Sequence, residues 1–176
     1  FKPQRKMPAD VQYLDVAGMD KGIAEKGMSG SLLNNLGQAD ALLHVVRAFE
    51  DANVPHSDGS VDPIRDIETI DLELLFADLA RVENRLVRLA SQLPKLQGRE
   101  RETGEREKAL MERLKGVLEA DQPIREILAD LDPEDIRLMR GYGFLTAKPL
   151  LVLLNAGEDQ IGEKGDALLA TARDRF

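Results

Sequence analysis

The sequence contains no cysteine. That excludes disulfides, thiolate metal sites and a thiol nucleophile, and it suits a reducing compartment such as the cytoplasm. It has no Trp, and aromatic residues make up only 4 %, so stacking platforms for single-stranded nucleic acid are scarce. With two His, a histidine-rich metal cluster is excluded. No apolar run approaches the roughly 18 residues of a membrane span, and no signal peptide is visible, so no membrane partner is expected. Thirty-two acidic against 24 basic residues leave a net charge of −8 and a pI near 4.9. A generally basic, DNA-binding surface is excluded by that balance, although a local basic patch is not. Composition says nothing of the oligomeric state. The chain opens on Phe1 rather than Met and closes on Phe176, which reads as a piece of a longer protein.

What is present is enough for a real core: 176 residues, 43 % of them hydrophobic, the composition of a globular chain. The organising stretch is Val11-Gln12-Tyr13-Leu14-Asp15-Val16-Ala17-Gly18. An apolar run ends in Asp15 and a Gly-bearing loop follows at once, as when a buried parallel strand delivers a carboxylate to a sheet edge. Asp15 to Gly18 fits D-x-x-G, by which P-loop nucleoside triphosphatases hold magnesium and sense the terminal phosphate. Two fixed positions recur by chance, and the plain alternative is a strand followed by an ordinary Gly turn. The next segment carries Gly at 18, 22, 27, 30 and 37, a permissive backbone expected of a ligand loop or a linker.

A second buried strand is predicted over Ala41–Phe49, with His44 inside it as a core residue. Asp62 and Pro63 are an N-cap and a first-turn proline. They open a helix whose apolar positions Leu75, Leu79, Val82, Leu86, Leu89 and Leu93 make a heptad seam. From Pro63 to Leu93 that helix would be about 45 Å long, more than a small core requires. The charged stretch Gly98–Gly104 reads as a turn. A second helix through Leu110, Leu114 and Val117 should pair with the first as an antiparallel hairpin. Basic residues near its tip (Lys95, Arg99, Arg101, Arg106, Lys108) would suit RNA phosphates, but Glu100, Glu102, Glu105 and Glu107 nearly cancel them. Shorter helices follow Pro123 and Asp132. Pro149–Leu154 is a third buried strand, ending in Asn155-Ala156-Gly157-Glu158.

Three apolar strands separated by helices predict an α/β fold with a parallel sheet. Two of them end in polar, Gly-bearing turns. In a nucleotide-binding sheet, Asp15 would lie on the phosphate side and Asn155 with Glu158 on the base side.

The sequence resembles a known family in four places. They are Asp15-Val16-Ala17-Gly18-Met19; Asp40 to Asp51 with its H-V-V-R-x-F-E-D string; the V-D-P-x-R-D-I-E-x-I string from Val61 to Ile70; and Phe144-Leu145-Thr146-Ala147-Lys148-Pro149 followed by Asn155-x-x-Glu158. Together and in this order, from about residue 7 to 160, they resemble the YchF / Obg-like ATPase family of translation-factor-class P-loop NTPases.

That resemblance implies a Ras-like P-loop G domain with an antiparallel coiled-coil insertion. Residues 1–65 would be partial G domain, 66–140 the insertion, and 141–176 the continuation with the base-recognition motif. It implies ATP hydrolysis in preference to GTP, and links to the ribosome and to stress responses. Asn155 and Glu158 would line the base pocket, with the Ala156 backbone touching the base. Asp15 would reach Mg2+ through water, and the Gly18 N–H would sense the γ-phosphate. Most Ras-like proteins place a water-orienting Gln after that Gly; here it is Met19, so another group, a potassium ion or a partner must help.

The departures are equally plain. No Lys is followed by Ser or Thr, so Walker A is absent, and with it the phosphate cradle. The chain as given is not expected to hydrolyse nucleotide. The loop after Gly18 is one residue shorter than the family's, with Met28 and Ser29 where Glu and Gly are usual and Asp20 in place of an apolar residue. The competing expectation is a non-enzymatic interaction module whose helical arm binds a ribosomal or other protein partner.

Overall fold

The computed structural model describes residues 9–16, 28–56 and 59–175. Helix α1 (Gly30–Gln38) starts at Ser29, whose hydroxyl accepts from the Leu32 N–H at 3.3 Å. Strand β1 (Leu42–Arg47) follows. Helix α2 (Pro63–Gln92) begins at the Asp62 cap, which accepts from the Arg65 N–H at 3.1 Å. Helix α3 (Gly98–Glu119), a 3₁₀ segment (Ile124–Asp130) and helix α4 (Pro133–Met139) come next. Strand β2 (Leu150–Asn155), a 3₁₀ turn (Glu158–Gln160) and helix α5 (Glu163–Arg175) end the described chain.

Among the described residues the sheet has two parallel strands, in register from Leu42↔Leu150 to Arg47↔Asn155. One face is covered: Leu42, Leu74 and Leu145 form a core with Leu33, Leu36, Ile70 and Leu150. On the other face Leu43, Val45, Leu151 and Leu153 are exposed, so these strands are not buried on both sides as their apolar runs predict. No described element packs over those four side chains.

The strand expected at Val11–Val16 is absent. Val11, Tyr13 and Leu14 are 70, 85 and 66 % exposed, and the segment has no regular structure. A strand exists by pairing its backbone N–H and C=O groups with a neighbour, and no described strand pairs with this one. Apolar alternation alone does not supply a partner.

The helical hairpin is present and longer at its tip than expected. Gly98 adopts φ +53°, a left-handed conformation that glycine tolerates, and α3 starts there rather than after Gly104. The charged residues read as a turn are the first turns of a helix: Arg, Glu and Lys are good helix formers, and Arg101 pairs with Glu105 one turn on at 2.8 Å. The seam holds. Leu75, Val82 and Leu89 bury against Leu110, Met111, Leu114 and Leu118, and the same core continues through Ile124, Leu131, Met139 and Phe144 at the base. Across the hairpin, Arg85 makes a two-pronged bond to Glu107 at 2.7 and 2.6 Å, and the Tyr142 hydroxyl donates to the same carboxylate.

A buried polar knot ties the arm to the sheet. Asp78, fully buried on α2, accepts from the N–H groups of Leu145 and Thr146 at 3.0 and 2.7 Å and from the Thr146 hydroxyl at 2.8 Å. That hydroxyl accepts in turn from the Ile124 N–H at 3.3 Å. Arg81, one turn along, donates to the Gly143 carbonyl at 2.8 Å. Lys148 reaches back to the end of α1, donating to the carbonyls of Gly37, at 3.0 Å, and Ala39. The segment from Gly143 to Lys148 thus holds α1, α2 and the start of β2 at one point.

Candidate functional site

Because β1 and β2 are parallel, their carboxyl ends lie at the same edge, where Arg47 pairs with Asn155. The Ala48 N–H donates to the Asn155 carbonyl at 2.8 Å, extending the ladder one step. The Arg47 guanidinium folds the following loop back on itself. It donates to the carbonyls of Phe49 at 2.9 Å and Val54 at 2.7 Å and lies 4.6 Å from the centre of the Phe49 ring, a cation–π contact.

On β2 the chain leaves the sheet at Asn155, and Ala156 and Glu158 follow, all three exposed. Gln160 closes the turn from below. Its carbonyl Oε1 accepts from the Gly157 N–H at 2.9 Å, and its Nε2 donates to the Ala48 carbonyl at 2.6 Å. The result is a short polar rim that leaves the Asn155 amide and the Glu158 carboxylate open to a ligand. An amide donates and accepts, while a carboxylate accepts only. Such a pair suits a heterocycle edge carrying both kinds of group.

The structure brings Asn155, Ala156 and Glu158 together at one strand end. Asp15 is exposed in the unpaired 9–16 segment, and among the described residues no hydrogen bond or ion pair joins it to Asn155 or Glu158. Gly18 and Met19 lie outside the described residues. Gln160 was not legible beforehand; its only signal is a polar side chain two places after Glu158.

An open concavity of about 280 Å3 is lined by Arg106, Ala109, Leu110, Arg113, Asp132 and Asp135. Its arginine is already bound to Asp132, Glu134 and Asp135 at 3.2, 2.7 and 2.6 Å, so its charge is internally matched, and it lies away from the strand ends. His44 is a partly buried sheet residue whose Nδ1 has no hydrogen-bond partner among the described residues. Burial lowers its pKa, and the neighbouring Asp66 opposes that shift, so the neutral ring is favoured. Among the described residues no group of three or more His, Asp and Glu side chains is placed to hold a metal ion, and no helix is long and apolar enough to cross a membrane.

No family model matches the chain. Individual proteins do. The ribosome-binding ATPase YchF of Bacillus subtilis is 35 % identical over 174 residues, which is 98 % of this chain and 46 % of that protein. The Obg-like ATPase 1 of Caenorhabditis elegans is 34 % identical over 166 residues, 93 % of this chain and 41 % of that protein. The chain belongs to the YchF / Obg-like ATPase family. It spans less than half the length of these relatives. The solved YchF GTPase of Schizosaccharomyces pombe superposes with a TM-score of 0.66 at 34 % identity, covering 82 % of this chain and 38 % of that one. The helices and parallel strands of this YchF-type chain therefore have the arrangement of part of a known GTPase.

Proposed function

We propose that this chain is the second-switch and base-recognition part of a nucleoside triphosphatase of the YchF / Obg-like type, which hydrolyses ATP, or GTP less readily. The observation that carries the reading is the exposed Asn155-Ala156-Gly157-Glu158 turn at the shared carboxyl end of two parallel strands, where open α/β sheets take their ligands. Asn155 donates to the purine or braces the neighbouring loop, the Ala156 backbone lies against the base, and Glu158 accepts from its edge. Asp15 and Gly18 serve the phosphate side. The exposed Asp15 carboxylate is a hard oxygen donor of the kind Mg2+ prefers, reached through water and carried in with the nucleotide. Met19 has no group that orients water, so a potassium ion or a partner contributes to hydrolysis.

The G-domain parts are residues 1–65 and 141–176 and the coiled-coil insertion is 66–140, in a protein of the cytoplasm. The relatives' name, ribosome-binding ATPase, supports the ribosome as partner; a role in stress response belongs to the same proposal and rests on the family resemblance alone.

Titration of ATP and GTP into the protein expressed from its complete reading frame tests this. ATP affinity equal to or tighter than GTP affinity is the expected result. Strict guanine preference, or no binding of either, overturns it.

The arm favours a second, compatible reading as a docking element, because α2 leaves Phe76 and Val87 exposed on its outer surface. An arm shortened between Leu86 and Leu110 keeps the basal core. Unchanged co-sedimentation with ribosomes would reject a docking role for its tip.

A further inference from the structure

We propose that Gln160 is the positioning residue of the base-recognition turn, and that its amide sets how well the turn tells one purine from another. The proposal rests on the nucleotide reading above and adds a residue to it.

The geometry is specific. Beyond Asn155, whose carbonyl accepts from Ala48, Ala156 and Glu158 are exposed while Gly157 and Gln160 are partly buried. Gln160 supplies a second tie to the same residue of the neighbouring strand: its Nε2 donates to the Ala48 carbonyl at 2.6 Å while its Oε1 accepts from the Gly157 N–H at 2.9 Å. Ala48 therefore grips both ends of the turn, its N–H at Asn155 and its carbonyl at Gln160. The Gln160 backbone is fixed as well. Its N–H donates to the Gly157 carbonyl at 3.0 Å, and a Cβ on Gly165 would lie 2.5 Å from its carbonyl oxygen, so α5 sits directly against it.

Glu158 lies inside this clasp, one residue from Gly157 and two from Gln160. Its side chain has one more methylene than Asp and more rotamers to choose from. A flexible carboxylate on a loose turn meets donors on either purine equally well; on a fixed turn it meets one pattern better. Discrimination by hydrogen bonding depends on placement to within a fraction of an ångström. The side-chain amide both donates to Ala48 and accepts from Gly157. A carboxylate in its place has no donor for the Ala48 carbonyl.

The test compares wild type, Gln160→Ala and Gln160→Glu in the complete protein, titrated with ATP, GTP and base-free ribose 5-triphosphate. Purine nucleotide affinity should fall about tenfold in Gln160→Ala, which loses both hydrogen bonds, and less far in Gln160→Glu, which keeps an acceptor for the Gly157 N–H but loses the donor to Ala48. The ATP-to-GTP ratio should move toward one, and ribose 5-triphosphate binding should not change. A merely structural defect would weaken all three ligands alike, and that result overturns the proposal. So do variants that keep wild-type purine affinities and ratio. Should the alanine variant not fold by circular dichroism, the isosteric glutamate variant decides alone. Wild-type protein that binds no nucleotide overturns the functional reading and this proposal with it; wild-type binding with insensitive variants overturns this proposal only.

Discussion

Asp78 and Thr146, 68 positions apart, are joined twice: the carboxylate accepts from the Thr146 N–H at 2.7 Å and from its hydroxyl at 2.8 Å. Both residues are almost fully buried, and a third bond runs from the Leu145 N–H. Burial pushes the Asp78 carboxyl above its ordinary pKa, with the bonds from Thr146 and Leu145 opposing that shift. Asp78→Ala leaves two buried backbone N–H groups and the Thr146 hydroxyl hydrogen without acceptors, and should destabilise the chain by about 3 kcal/mol in chemical denaturation. Thr146→Val, which removes only the hydroxyl's donation to Asp78 and its acceptance from Ile124, should lose less. Equal losses would mean that the backbone bonds to Asp78 contribute nothing.

The Arg85–Glu107–Tyr142 cluster predicts a pH dependence. Burial pushes the Glu107 carboxyl up, but the bonds from Arg85 and Tyr142 outweigh it and leave the pKa below the ordinary 4.5. A carboxyl depressed in the folded state binds fewer protons there than when unfolded. Its contribution is therefore complete above the unfolded value and is lost as pH falls through the folded one. Glu107→Gln should cost about 1–2 kcal/mol at neutral pH, through weaker bonds to Arg85. It should also flatten the acid limb of the stability curve, read from urea midpoints between pH 6 and pH 3. A variant whose acid limb matches wild type would show that other carboxylates control it.

Gly143 occupies the left-handed region at φ +59°, and a Cβ there would lie 3.0 Å from the Gly37 carbonyl oxygen. Gly143→Ala meets both penalties, backbone strain and a contact with a main-chain atom that has little room to yield. It should lower stability by about 1–2 kcal/mol, visible as a lower thermal midpoint. Gly98 is also left-handed, at φ +53°, but open space surrounds its Cβ direction, so Gly98→Ala should be milder. The reverse order would mean that the close approach to Gly37 carries no energetic weight.

The sequence revealed what depends on local pattern. The Asp62-Pro63 start, the heptad seam through Val82 and Leu89, and strands close to 42–47 and 150–155 are periodicity and capping chemistry, and they lie where expected. What it concealed depends on distant partners. Asp78 reads as one more exposed acid on a charged helix, because the loop that buries it is 68 residues away. Val11–Val16 has a strand's composition, but pairing is a property of two segments, and no described one meets it. Gly98–Gly104 has the charge density of a turn, but the same residues are good helix formers and open a helix. At the candidate site, Asn155 and Glu158 were legible as a motif at a strand's end. Gln160 was not, since its role exists only through Ala48 on the other strand.

Glu158 offers the most direct test of purine choice. Guanine presents two adjacent donors, N1–H and the exocyclic amine, which a carboxylate accepts together. Adenine presents one donor beside the N1 acceptor, which repels a second carboxylate oxygen. A shorter Asp, with fewer rotamers, holds its two oxygens side by side more firmly and so favours the guanine pattern, whereas Glu reaches further and accepts from a single amine at lower cost. Glu158→Asp in the complete protein should therefore raise GTP affinity relative to ATP by about tenfold, the lower part of the range for one well-placed bidentate pair. Glu158 is exposed and makes no side-chain hydrogen bond among the described residues, so the change should leave the thermal midpoint where it was. An unaltered nucleotide ratio at an unaltered midpoint would place the purine elsewhere on the sheet edge and remove Glu158 from its recognition.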